Sequence, residues 1–115
     1  CQNTSDLYTT GSSQGNQALT YPIGLISADE VAYAGGVYNN YNQSYYLYTG
    51  QNYWTMSPSY FNVAIGRASV LIVYSNGSLS NDWVYGTYGI RPVINLKANV
   101  TITGSGTSTD PYIIS

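Results

Sequence analysis

Apolar and polar residues alternate with a period of two along most of this chain, and Gly, Pro, Asn or Asp closes each run within a few residues. That repeat belongs to half-buried strands, and it is incompatible with long amphipathic helices. The clearest hairpin signal is Ser69-Val-Leu-Ile-Val-Tyr74, the Asn76-Gly77 pair, and a returning Ser78-Leu79. Asn-Gly tolerates the positive φ angles of a type I′ turn. After a turn at Asn81-Asp82, Trp83-Val-Tyr85 and Ile90-Arg-Pro-Val-Ile-Asn-Leu96 read as further strands. Asn99-Val-Thr-Ile-Thr103 and Asp110-Pro-Tyr-Ile-Ile114 read as a closing hairpin around Gly104-Ser-Gly106. Earlier in the chain, Ala18 to Ile26 reads as an edge strand interrupted by Pro22.

One helix interrupts this pattern. Ser27 followed three residues later by Glu30 is a capping box, and Asp29 adds a second acid at the positive helix end. Gly35-Gly36 supplies the stop, so a short helix is predicted over residues 28–34. The expected class is therefore mainly β (α+β): an antiparallel β domain with one short helix. Residues 1–17, polar and rich in Gly and Ser, read as a loose loop or linker, and residues 18–115 as a single β-rich surface domain.

The surface chemistry is set by an inversion. The chain holds 14 Tyr but only three Lys and Arg and five Asp and Glu. Its 7% of charged residues compares with about a quarter in an ordinary soluble domain. Three cations are too few to neutralise a nucleic-acid backbone, so no nucleic-acid partner is expected. Val70 to Tyr74, the longest strongly apolar run, is far below the ~20 residues of a spanning helix, so direct membrane insertion is not expected. With no His and one Cys, neither the commonest general base nor a zinc site is available. Asp29 and Glu30 are accounted for by the helix cap, and Asp82 and Asp110 by turns. The reading is a non-enzymatic chain with no cofactor and no metal.

Cys1 leaves two readings open: a cysteine whose disulfide partner lies elsewhere, or a lipidated N-terminal cysteine. Arg91, inside an expected strand, reads as a cation anchored to backbone carbonyls or stacked on a tyrosine.

Eight of the seventeen aromatic residues fall between Tyr38 and Tyr60. A small core cannot hold fourteen tyrosines, so part of this segment must be exposed. Exposed Tyr, Trp and Asn make the low-entropy contact surface of binding loops. Core packing and a binding surface are both open for the segment. Tyr45 to Thr49 and Tyr53 to Met56 could be short strands, with Pro58 ending the stretch. Tyr38, Tyr41, Tyr45 and Tyr53 are the members expected to be exposed. With Trp54, Trp83, Tyr85 and Tyr88 they make up the candidate ligand-binding set.

Several phrases occur together: Tyr21-Pro-Ile-Gly-Leu-Ile-Ser-Ala-Asp-Glu30, Tyr45-Tyr-Leu-Tyr-Thr-Gly50, Tyr53-Trp-Thr-Met-Ser-Pro58, Gly89-Ile-Arg-Pro-Val93 and Asp110-Pro-Tyr-Ile-Ile114. From residue 18 onward the chain resembles an uncharacterised, often C-terminal domain of secreted and cell-surface, sometimes pilin-like, proteins of Gram-positive gut bacteria. The Trp54-Thr-Met-Ser57 and Gly89-Ile-Arg-Pro-Val93 phrases also look like late core strands of C-type-lectin-like domains. The resemblance implies a secreted or cell-surface location and that fold, and it transfers no site. The expected function is adhesion or ligand binding through the tyrosine-rich surface, with a glycan or a surface protein as partner. The alternative is a structural subunit of a pilus-like filament, with identical subunits as partners.

Overall fold

The computed structural model describes residues 13–15, 17, 19–21 and 23–115. In chain order they form strand β1 (Gly24–Leu25), helix α1 (Ala28–Tyr33), and strands β2 (Tyr53–Asn62), β3 (Arg67–Val73), β4 (Leu79–Trp83), β5 (Pro92–Val93), β6 (Ile102–Thr103) and β7 (Ile113–Ile114). The protein is mainly β, with antiparallel sheets and one short helix among the described residues, as the alternation predicts. Cys1 and most of the 1–17 segment lie outside the described residues, as do Ala18 and Pro22.

The Asn76-Gly77 signal does place the central hairpin, but not through a type I′ turn. Gly77 has φ +82 while Asn76 keeps a negative φ. The Gly77 amide donates to the Tyr74 carbonyl at 2.8 Å and the Tyr74 amide to Ser78 at 2.9 Å. This is a three-residue loop with glycine in the left-handed position. The returning strand is longer than expected, because Asn81 and Asp82 lie inside β4, paired with Leu71 and Val70. Their side chains find partners without a turn: Asn81 Oδ1 accepts from the Tyr38 hydroxyl, and Asp82 Oδ1 from the Trp83 amide.

Pro58 does not end a strand. β2 runs through it to Asn62 and turns at residues 63–66 into β3, with Gly66 at φ +63. The ladder skips between Trp54 and Pro58 and again between Pro58 and Tyr60. The irregularity lets the strand continue past a residue that has no amide to donate, and β2 is at the edge of the sheet order β2-β3-β4. The stretch expected as a strand at Tyr45 to Thr49 is instead a turn, closed by the Tyr48 amide on the Tyr45 carbonyl. Of the strands expected at 18–26 and 90–96, only β1 and β5 form, and they pair with each other as Gly24 with Val93 and Leu25 with Pro92. The closing hairpin forms, with Ile102 opposite Ile114 and Thr103 opposite Ile113.

Helix α1 begins as expected. Ser27 Oγ accepts from the Glu30 amide at 3.2 Å, and Glu30 Oε2 accepts from the Ser27 amide at 2.8 Å. Its end is a Schellman closure: the Gly36 amide reaches the Val31 carbonyl and the Gly35 amide reaches Ala32, with Gly35 at φ +117. Six residues are too few for an isolated helix, so tertiary packing must hold it. Ala28 and Val31 supply that contact, entering a core with Ile26, Tyr45, Leu47, Tyr53, Val73 and Leu79.

The two faces of the central sheet are covered differently. Residues opposite each other across the ladders share a face, so Tyr53, Val73 and Leu79 together meet the helix. Ile72, fully buried, points to the other face with its ladder partner Trp54. There Trp54 packs edge to face with Tyr88 at 5.0 Å, and the Tyr88 hydroxyl donates to Asp82 Oδ2 at 2.5 Å. Tyr88 thus spans from β2 to β4 and covers β3. That hydrogen bond pushes the Tyr88 phenol up to about 12.

Candidate functional site

A concavity of about 1230 Å³, open to solvent, lies between α1, the Tyr45–Tyr48 turn, β5 and the closing hairpin. Helix packing explains its first wall. Ala28 and Val31 face the core, so Asp29, Glu30 and Tyr33 turn outward, and Tyr33 is 98% exposed. Tyr46 follows the buried Tyr45 and points the other way, at 83% exposure. Arg91, Pro92, Val93 and Ile94 form the floor along β5, and Tyr112 closes the far side from the hairpin.

Arg91 positions this floor. Its Nη1 donates to the Leu47 carbonyl at 2.7 Å, and its guanidinium lies 5.5 Å from the Tyr53 ring centroid. Both roles read from the sequence, carbonyl anchor and tyrosine stacking, occur together. The cation ties β5 to the 45–48 turn and to β2 in one residue. Glu30 is held by the cap, which keeps its carboxyl below the usual range through the Ser27 amide first and the Ser27 hydroxyl second. Asp29 has no hydrogen-bond partner among the described residues, so its carboxylate is available to a ligand.

The sequence-predicted site residues are not brought onto one surface. Tyr45 and Tyr53 are core residues at 7% and 3% exposure, which corrects the expectation that they are exposed. Tyr53 belongs to the buried face of β2 with Thr55 and donates its hydroxyl to the Leu47 carbonyl at 3.0 Å. Burial pushes the Tyr45 phenol up to about 12, with the adjacent Tyr53 adding to the effect, and burial also raises Tyr53. Trp54 and Tyr88 are half-buried on the second sheet face. Trp83 is half-buried at the far end of β4 against Tyr60, and exposed Tyr85 stacks under Arg67 at 5.0 Å. Tyr38 and Tyr41 are exposed, Tyr38 beside the outer edge of β4 and tied to Asn81.

The residues that do surround the groove, Tyr33, Tyr46 and Tyr112, are absent from the predicted set. They come from three segments far apart in sequence, so no local clustering marks them. For Tyr33 a signal existed: on a helix with Ala28 and Val31 inward, position 33 must face out. A second, polar recess of about 430 Å³ is lined by Gln51, Asn52, Ser75, Thr87, Tyr88 and Gly89. Among the described residues no group of three or more Cys, Asp or Glu side chains converges. No described helix is long and apolar enough to cross a membrane.

Fold and groove define a small β domain with a ring-lined, solvent-open cleft. The family described as Domain of unknown function (DUF6273) matches residues 1–98, and the chain belongs to that family. The match takes in β1 to β5 with the helix, while β6 and β7 follow it. No curated protein and no solved structure matches the chain.

Proposed function

We propose that this domain is a non-enzymatic binding module, exported to the bacterial surface, that engages a glycan or a surface protein through exposed tyrosines. The observation that carries the reading is the placement of Tyr33, Tyr46 and Tyr112 around one open groove, at 98%, 83% and 64% exposure. Tyrosine brings a large contact area with little side-chain entropy to lose, and its hydroxyl serves a polar partner. The C-type-lectin-like reading is supported by the adjacency of its two phrases: the Trp54 amide donates to Gly89, and the Gly89 amide to Asn52, both at 3.0 Å. The test is binding of the purified domain to bacterial and host cell surfaces and to a glycan array. Alanine at Tyr33, Tyr46 and Tyr112 together should abolish it, and alanine at Tyr38, Tyr41 and Tyr85 should not. Equal binding by both triple variants would remove the groove from the reading.

A filament subunit is the second reading, favoured by the exposed apolar hairpin. Ile102, Ile113 and Ile114 are 48% to 59% exposed on a two-stranded ribbon with neither outer edge paired among the described residues. Strand edges of that kind pair between copies. Discrete particles in negative stain at high protein concentration would count against it.

A further inference from the structure

The binding surface proposed above has an internal feature that selects among ligand classes, and the inference rests on that reading of the groove. We propose that the groove takes an extended peptide segment of another protein, added as a strand along the free edge of β5, with a Lys or Arg of that segment beside Asp29.

Three observations carry it. First, four consecutive residues, Arg91 to Ile94, line the groove. Side chains of a strand alternate between its two faces, so a groove over one face would meet every second residue. Meeting all four, the groove runs the length of this segment, Ile94 included. Second, the edge of β5 away from β1 is unpaired among the described residues. β5 pairs only with β1, and the backbone of Ile94 has no hydrogen bond among the described residues. By contrast, the outer side of β2 is closed where Trp54 donates to Gly89 and Met56 to Ile26. The outer side of β4 is closed at Leu79, which donates to Val37 and accepts from Asn39, and its remaining residues do not line this groove. The edges of β6 and β7 are unpaired among the described residues, but their residues do not line this groove. An open edge walled by Tyr33, Tyr46 and Tyr112 offers main-chain hydrogen bonds with apolar pockets beside them, the two components of strand addition.

Third, charge selects the source. Asp29 and Glu30 stand on the rim, while the groove's cation, Arg91, is already bound to Leu47 and Tyr53. A basic side chain over tyrosine rings and beside a carboxylate gains from both. A second copy is a poor donor of one: Arg67 is engaged by Tyr85 and Arg91 by the core, which leaves Lys97. The acidic rim thus favours a segment of a different protein that carries basic residues of its own.

The experiment titrates isotope-labelled domain, followed by amide NMR, with three probe sets. These are capped heptapeptides alternating apolar residues with lysine, the same series with glutamate, and neutral cellulose- and chitin-type hexasaccharides. Lysine peptides should shift the Tyr33, Val93 and Ile94 amides, slow exchange at the Ile94 N–H, and bind about tenfold more tightly than glutamate peptides. Ile94→Pro removes that N–H at a position whose predecessor is already extended, and should weaken binding about tenfold. Ile94→Ala keeps the N–H and should stay within about threefold. Asp29→Asn should erase the lysine preference. Equal binding by Ile94→Pro, or an unchanged preference in Asp29→Asn, would overturn the inference. Hexasaccharides shifting the groove where peptides do not would overturn it and leave the binding module standing. Silence of the groove toward all three sets would remove both.

Discussion

Tyr60 and Trp83 meet edge to face at 5.6 Å across the width of the central sheet, with Ser69 of the middle strand beneath them. Tyr60 is the ladder partner of Ser69 on one side and Trp83 on the other, so all three share a face. A small residue between two large ones lets the rings close over it. Ser69 is left 2% exposed, and its hydroxyl has no partner among the described residues. The aromatic excess thus serves partly as a roof where the helix no longer reaches.

A buried hydroxyl without a partner costs about 1–3 kcal/mol in desolvation. Ser69→Ala removes the hydroxyl and keeps the small volume that the rings need. It should stabilise the domain by about 1 kcal/mol, read as a higher midpoint in urea with an unchanged slope. Ser69→Leu, which would wedge the rings apart, should destabilise it by about 1–3 kcal/mol.

The helix cap sets the acid response. Glu30 titrates below its ordinary 4.5 because the Ser27 amide and hydroxyl hold the ionised form. A depressed carboxyl contributes stability at pH above its unfolded value, and that contribution is lost as pH falls through the folded value. Glu30→Gln should therefore flatten the fall in melting temperature below about pH 4.5 while lowering it at pH 7. Ser27→Ala should cost about 1 kcal/mol at neutral pH, measured by urea unfolding.

The alkaline limb has the opposite sign. Tyr45 and Tyr88 are raised from 10.0 to about 12, by burial for Tyr45 and by the Asp82 hydrogen bond for Tyr88. The unfolded chain releases these protons first, so stability is full below pH 10 and declines until pH passes about 12. Phenolate absorbance should show a late-titrating class of tyrosines. Tyr88→Phe should remove one member of that class and make the decline shallower.

Gly77 carries a second constraint besides its φ of +82. A Cβ there would stand 1.6 Å from the Asn42 carbonyl oxygen, where the Asn42 segment crosses the hairpin turn. Gly77→Ala should destabilise by more than about 1 kcal/mol, beyond backbone strain alone, because the crossing segment must also move. Gly66→Ala, with φ +63 and open space around it, isolates the backbone component. The difference between the two variants in urea unfolding measures the cost of displacing the Asn42 segment.

Local signals were legible where the chain's own chemistry decided the structure. Ser27 with Glu30 placed the helix, and Asn76 with Gly77 placed the hairpin, because caps and turns are satisfied within a few residues. Pro58 misled because its meaning depends on what lies beside it: at a bulge on an edge strand its missing amide leaves no ladder bond unmade. Tyrosine was the least legible residue, since the same ring serves as core, roof or surface. Tyr45 and Leu47, then Tyr53 and Thr55, do alternate inward, but alternation alone does not say which face the rest of the chain will cover. The groove was illegible because the helix, a turn, β5 and the closing hairpin meet there only after folding.

The closing hairpin is tied chiefly to itself. The Asp110 carbonyl accepts from the amides of Ser105, Gly106 and Thr107, and its carboxylate from Ser105 again. A two-stranded ribbon with its isoleucines exposed has little to hold it against fraying. It is also the part of the chain that follows the family match, and it carries Tyr112, one wall of the groove. The cleft is thus bounded by parts held in different ways: a helix packed on the core, and a ribbon whose hydrogen bonds are its own. Occupancy of the cleft would be recorded as protection of this tail, so ligand binding and the lifetime of the last β-turn become one thermodynamic variable.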